Sequence, residues 1–311
     1  MPWHPWRKRA ERALGRATAA TTAAWARALP LPGLRALADA AAWLLAGLAP
    51  SRQRVAVANL QSVFGDQYTG REYRRLAAAA TRNMCRTMAE LFKQPYLSRS
   101  QLERLVQVEG LEHLRAALAG GRGAILLSAH FGNWEILGPR LAAAGLPTSV
   151  VARDSPDAGT ARLINQCRER CGLRVVSRGN VRGMLEALRA GRLLLLLPDQ
   201  HQSGASVVVD FLGRPAATAT GPATLARRTG APVVPGFCRR LADGSFRVTL
   251  QPALELIRTG DRPADARANT AHYNQVLGDE IRRHPEQWLW LHRRFKPLTG
   301  QAHPPGERAG G

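Results

Sequence analysis

His130 and Glu135 are the residues whose types and spacing first suggest chemistry. A carboxylate that accepts a hydrogen bond from one imidazole nitrogen fixes the tautomer. It also stabilises the imidazolium formed when the other nitrogen takes a proton. Such a pair would activate a hydroxyl carried by a substrate, with no serine of the chain needed as nucleophile. Spacing alone decides nothing here. With eight histidines and 23 acids in 311 residues, chance places an acid five positions after a histidine about as often as not, and His130 is the one histidine that has it. A buried histidine satisfied by its neighbours would read the same way. The setting adds weight: Ser128-Ala129-His130 closes a short apolar run, Gly132 permits a turn, and Asn133 suits a helix N-cap that puts Glu135 in the first helical turn. A second polar cluster, Pro198-Asp199-Gln200-His201, closes the leucine run 193–197.

Elements able to present two such clusters side by side follow from the hydrophobic pattern. Residues 7–28, 33–49, 51–64 and 71–93 read as helices, the second opening after the breaker Pro30-Leu31-Pro32-Gly33. From about residue 105, short apolar runs alternate with helical segments. The expected strands are 123–130, 148–153, 174–176, 192–198, 206–212, 233–238 and 246–251, with helices at 134–144, 157–171, 180–190, 219–229 and about 266–284. Five unbroken leucines fit a strand buried on both faces. The expected class is therefore α/β: a mixed, largely parallel central sheet flanked by helices and preceded by an N-terminal helical region. In such sheets ligands sit beyond the carboxyl ends of the strands, where both polar clusters fall. The division expected is 1–104 helical and membrane-associating, 105–297 the α/β domain, and 298–311 a disordered tail.

Charge narrows the partners. Forty-four Lys+Arg against 23 Asp+Glu give a net charge of +21, which calls for polyanions such as nucleic acid, an anionic membrane, or an acidic protein or substrate. Three of the 44 cations are lysines, so a GC-rich composition accounts for the use of arginine but not for the shortage of acids. Four cysteines are too few for a disulfide scaffold. Cys167 and Cys171 share a helix face without a CxxC or a histidine pair, so no metal site is expected. The first sixty residues hold nine cations, two anions (Glu11, Asp39) and Trp3, Trp6, Trp25 and Trp43. That composition suits an interfacial segment or a basic helix packed on the main domain. The longest charge-free stretch there, residues 40–51, is too short to span a bilayer, and the start of the chain makes a poor signal peptide. Nucleic acid is disfavoured as partner, because no zinc spacing, RNP-like motif or basic–aromatic sheet face occurs.

The stretch Ser128-Ala-His-Phe-Gly-Asn-Trp-Glu135 resembles the HX4E box of the lysophospholipid acyltransferase superfamily, specifically the bacterial lipid A biosynthesis acyltransferases of the lauroyl/myristoyl group. Further similar segments follow the same order: 55–65 (VAVANLQSVFG), 198–200 (PDQ), 211–221 (FLGRPAATATG), 225–235 (LARRTGAPVVP) and 284–296 (HPEQWLWLHRRFK). The similarity runs from about residue 30 to 297, and the last segment makes chance agreement very improbable.

The resemblance implies an acyltransferase in which His130 is the general base and Glu135 orients it. A fatty acyl chain would pass from the thioester of an acyl carrier protein to a hydroxyl of a phosphorylated glycolipid, a lipid A precursor, without a cofactor or metal. It places a functional arginine at Arg168, for an acidic headgroup or the oxyanion, and a functional aspartate at Asp199, for a cation or a substrate hydroxyl. Arg153 is a third substrate-binding candidate. Relatives often carry Tyr-Arg-Pro where this chain has Ala152-Arg153-Asp154, so the contact of the aromatic residue is missing or replaced. The location implied is the cytoplasmic face of the inner membrane, held peripherally or by shallow insertion. Another membrane lipid, such as an ornithine lipid or a mannosylated phospholipid, is the alternative acceptor. Trp288-Leu289-Trp290 alternates like a strand or edge segment, and its tryptophans are expected to pack the core in preference to the membrane interface. Arg293, Arg294 and Lys296 suit phosphate contact or solvent equally.

Overall fold

Short apolar runs build the centre of the molecule, as a computed structural model describes it for residues 5–153, 157–202 and 204–296. Trp3, Asp154 and the expected tail from Leu298 lie outside the described residues. The strands are β1 (Val106–Glu109), β2 (Ala124–Leu127), β3 (Thr148–Ala152), β4 (Arg174–Ser177), β5 (Leu193–Leu196), β6 (Ser206–Phe211), β7 (Arg214–Ala219), β8 (Val233–Arg240) and β9 (Phe246–Leu250). Seven of them form one sheet in the order β1-β9-β8-β2-β5-β3-β4, parallel except where β8 meets β9. Ile125, Leu127, Leu194 and Leu196 face one apolar cluster, while Ala124, Leu126, Leu193 and Leu195 face another. Burial on both faces is what removed any polar alternation from these strands.

Helices cover both faces and the open end. They are α1 (Pro5–Ala28), α2 (Leu31–Leu48), α3 (Pro50–Phe64), α4 (Gly70–Lys93), α5 (Arg99–Leu105), α6 (Leu111–Ala119), α7 (Trp134–Ala143), α8 (Ala158–Arg170), α9 (Val181–Arg189), α10 (Gly221–Thr229) and α11 (Arg262–Arg283). Local chemistry sets their starts. A Thr69–Glu72 capping box opens α4, and Asp157, Asn180 and Asp261 cap α8, α9 and α11 by accepting backbone N–H groups. Ala56, Leu60, Phe64, Tyr73 and Ala77 of α3 and α4 share one apolar cluster with Ile125, Leu194 and Trp288. The inner N-terminal helices are thus part of the core that supports the sheet.

Three strands depart from expectation. The run 206–212 does not join the sheet. It pairs with the unforeseen β7 as an antiparallel hairpin, because Leu212 and Gly213 both take positive φ (59° and 78°), the geometry of a tight two-residue turn. The side chain of Asn274 on α11 holds the hairpin through the Asp210 carbonyl and the Thr218 hydroxyl. Strand β1 also escaped the sequence reading, since it is a short edge strand with one buried residue, Val106.

The expectation that no helix is long and apolar enough to cross a membrane needs correction. Among the described residues one, α2, meets that test by length and composition, with a mean hydropathy of 1.2 over 18 residues. Its two charges face the protein: Arg35 pairs with Glu90, and Asp39 with Arg86. Leu37, Trp43, Leu44 and Leu48 are left exposed on the outside. Counting charges along the chain missed this, because a helix can turn its charges to one side.

Candidate active site

Strands β2 and β5 pair in parallel, Leu127 beside Leu196, so the segments that follow them emerge together. The backbone N–H of Ser128 still donates to the Leu196 carbonyl, and His130 and Asp199 stand three residues beyond Leu127 and Leu196. Asp199 is 1% exposed. One of its oxygens lies 2.8 Å from Nδ1 of His130, and the other accepts the His130 backbone N–H at 2.9 Å and the Trp288 indole N–H at 2.8 Å. A carboxylate accepts from Nδ1, so the neutral imidazole carries its proton there and Nε2 is left as the basic nitrogen. The amide nitrogen of Gln200 lies 3.4 Å from Nε2.

Glu135 has a different partner. Asn133 caps α7 by accepting the N–H groups of Glu135 and Ile136, which fixes the glutamate in the first turn. Its carboxylate then receives two bonds from the Arg168 guanidinium, at 2.7 and 3.1 Å, and one from the Trp134 indole at 3.2 Å. The hydrogen bond expected from His130 to Glu135 goes to Asp199 instead, and Glu135 bears on the ring through its charge. Arg168 also reaches Asn165 at 3.1 Å and is 17% exposed, so it is not on a solvated helix face. Arg153 is exposed at the end of β3.

Electrostatics separate the two pairs. Burial disfavours a charged His130, but the charge and hydrogen bond of Asp199, with Glu135 beyond, outweigh it and raise the imidazole above its ordinary 6.5. Burial likewise opposes ionised Asp199 and Glu135, and their cationic partners outweigh it and hold both below the usual carboxylate range. Nearby, burial pushes His292 down to about 4, so this ring is neutral and its Nε2 accepts the backbone N–H of His201 at 3.1 Å.

The last segment supports the site from below. Trp288 and Trp290 are fully buried, as expected, but in irregular chain after α11 with a single bridge from Phe131 to Trp288 in place of a strand. Arg294 is fully buried too, donating to the Ala217 carbonyl and the Thr218 hydroxyl with its guanidinium over the Phe211 ring. That overturns both expectations for it, phosphate contact and solvent. Trp288 and Gln200 are site residues that sequence reasoning passed over. The signal for each was adjacency, one beside the Asp199 it borders in sequence, the other inside the segment 284–296. Cys167 and Cys171 are free thiols, and among the described residues no group of three or more His, Cys, Asp or Glu could hold a metal ion.

An imidazole with its tautomer fixed by a buried carboxylate stands at the carboxyl edge of a mostly parallel sheet, where α/β proteins bind their ligands. The class is sharpened by comparison with known proteins. Residues 7–297 match the family described as bacterial lipid A biosynthesis acyltransferase, and the chain belongs to that family. It is 29% identical over 248 residues to the lipid A biosynthesis palmitoleoyltransferase of Escherichia coli, covering 79% of each chain. Identity is 35% over 199 residues with the lauroyltransferase of the same organism, 63% of each chain, and 33% over 225 residues with the phosphatidylinositol mannoside acyltransferase of Mycobacterium tuberculosis, 70% of this chain and 69% of that one. The protein is an acyltransferase.

Proposed function

We propose that the protein moves a fatty acyl chain from the thioester of an acyl carrier protein to a hydroxyl of a lipid A precursor, with His130 as general base. Nε2 of His130 takes the hydroxyl proton as the oxygen attacks the thioester carbonyl. The C–S bond then breaks, the proton passes from the imidazolium to the departing thiolate, and an ester and a thiol result. Asp199 holds the tautomer and stabilises the transient imidazolium. Glu135 sets the field around the ring and holds Arg168, whose remaining donors face a bound anion or the oxyanion. Arg153, exposed where β3 ends, is the candidate for an acceptor phosphate. The observation that carries this reading is the 2.8 Å contact between His130 and Asp199 inside the segment that matches the family. The net charge of +21 suits both acidic partners.

Mass spectrometry of membrane lipids from a deletion strain tests the acceptor. Loss of one acyl chain from lipid A is expected. Unchanged lipid A with an under-acylated mannosylated phospholipid would move the reading to that acceptor, which the mycobacterial relative favours. Purified protein with acyl carrier protein loaded with a fatty acid, compared with an acyl-coenzyme A donor, tests the thioester source.

The apolar outer face of α2 and the basic N-terminal segment support attachment at the cytoplasmic face of the inner membrane. Flotation with anionic vesicles should capture the protein, less so at high salt, and Trp43→Ser with Leu48→Ser should weaken capture roughly tenfold. Protein left at the bottom of the gradient at low salt would rule this attachment out.

A further inference from the structure

The chain between His130 and Glu135 is an irregular turn, and something must hold it for both charged pairs to form. Gly132 adopts φ +56°, and a Cβ there would collide with the Cys238 carbonyl, so the turn lies flat on β8. Its carbonyl accepts from Asn83 and Thr87 of α4, at 2.8 and 3.0 Å, and its N–H donates to the Gln287 carbonyl at 3.0 Å. Asn133, the next residue, is fully buried and donates its amide to Glu90 at 2.6 Å.

Glu90 is 2% exposed and carries an unusual load. Besides Asn133 it accepts two bonds from Arg240 of β8, at 2.6 and 2.8 Å, and one from Arg35 of α2 at 2.6 Å. Arg240 passes the connection on, through Asn83 at 3.0 Å and through Gln287, which exchanges two hydrogen bonds with the Arg240 backbone. Three elements distant in sequence therefore meet on one carboxylate. Burying a carboxylate with two guanidiniums carries a large desolvation cost, and apolar packing often stabilises such a position as well or better. What apolar packing cannot supply is a directed bond to the Asn133 amide.

We propose that Glu90 is a positioning residue for acyl transfer. Its bond to Asn133 and its two arginines fix the 131–133 turn, and through it the approach of His130 to Asp199 and of Glu135 to Arg168. The proposal rests on the proposed function of His130. It also makes α2 and α4 supports of the active site, since α4 carries the carboxylate and α2 one of the arginines that hold it.

Steady-state kinetics of the full-length protein with the acyl carrier protein donor, alongside thermal melting, test it. Asn133→Ser keeps a hydroxyl able to cap α7 but loses the amide that Glu90 holds. We expect kcat to fall about tenfold or more, KM for both substrates to stay within about twofold, and the melting temperature to stay within about 3 °C, because misplacement of a reacting group by about 1 Å is enough for losses of this size. Glu90→Ala should lose at least as much, and Glu90→Gln, still able to accept from Asn133, should recover part of it. A kcat for Asn133→Ser within twofold of wild type would overturn the proposal. So would losses in the three variants that simply follow the fraction unfolded at the assay temperature. If His130→Ala also keeps its activity, the base assignment fails, and that result is separable from the behaviour of Asn133→Ser.

Discussion

Two buried charge pairs stand five residues apart on the same turn, and they differ in what their partners can do. Asp199 faces an imidazole whose charge comes and goes, while Glu135 faces a guanidinium that is always charged. Both carboxylates are held ionised, yet one can respond to a proton arriving on its partner and the other cannot. In the proposed function the Asp199 pair serves the proton transfer and the Glu135 pair supplies a constant field beside it. A carboxylate's work here is set by the partner that the fold brings to it, and spacing from a histidine does not reveal that partner.

Removing the ring should have the largest effect. His130→Ala should lower kcat by about 10³-fold or more while leaving the protein folded, and turnover near wild type would end the comparison altogether. Asp199→Asn comes next, at about 10²-fold in kcat, because an amide can favour the wrong tautomer.

The pH profiles sharpen the contrast. A base must be neutral to act, so activity should rise with pH through the raised pKa of His130, above 6.5. Asp199→Asn removes the charge that does most to raise that pKa, and the acidic limb should move to lower pH. Arg168→Met should move it the other way, because Arg168 opposes protonation of His130 and its loss leaves Glu135 unneutralised. Shifts of the same sign in both variants would show that Asp199 and Arg168 do not act on His130 with opposite sign as described.

Smaller effects test the independence of the pairs. Glu135→Gln and Arg168→Met should each cost about 10-fold in kcat/KM, and the double variant should cost little more than either, since the two residues act as one unit. Additive losses would show that Arg168 acts on the substrate independently of Glu135. Trp288→Phe, which removes one of the three hydrogen bonds to Asp199, should cost only a few-fold.

Most of the frame was legible before the structure. The four N-terminal helices fall within a few residues of expectation, because none of them alternates like a strand and the Pro30–Gly33 breaker separates the first two. Strands β2 and β5 were legible because burial on both faces makes a strand uniformly apolar. Strand β1 and the β6–β7 hairpin were not, since a short edge strand has little apolar signal and a strand run does not say which sheet it joins. The outer face of α2 was hidden for a related reason: Arg35 and Asp39 break the charge-free stretch in sequence but turn inward in space.

For the site, the sequence by itself determined that His130 and Glu135 stand at the end of a strand and the start of a helix, and that Asp199 closes a buried strand. Only the tertiary structure decided which carboxylate meets the imidazole. Asp199 is 69 residues from His130, and the two are brought together by the parallel register of β2 and β5. Glu135 is turned to Arg168 by the helix it begins, whose first turn is capped by Asn133. Helical geometry sends the near carboxylate away from the ring, and sheet geometry delivers the distant one to it.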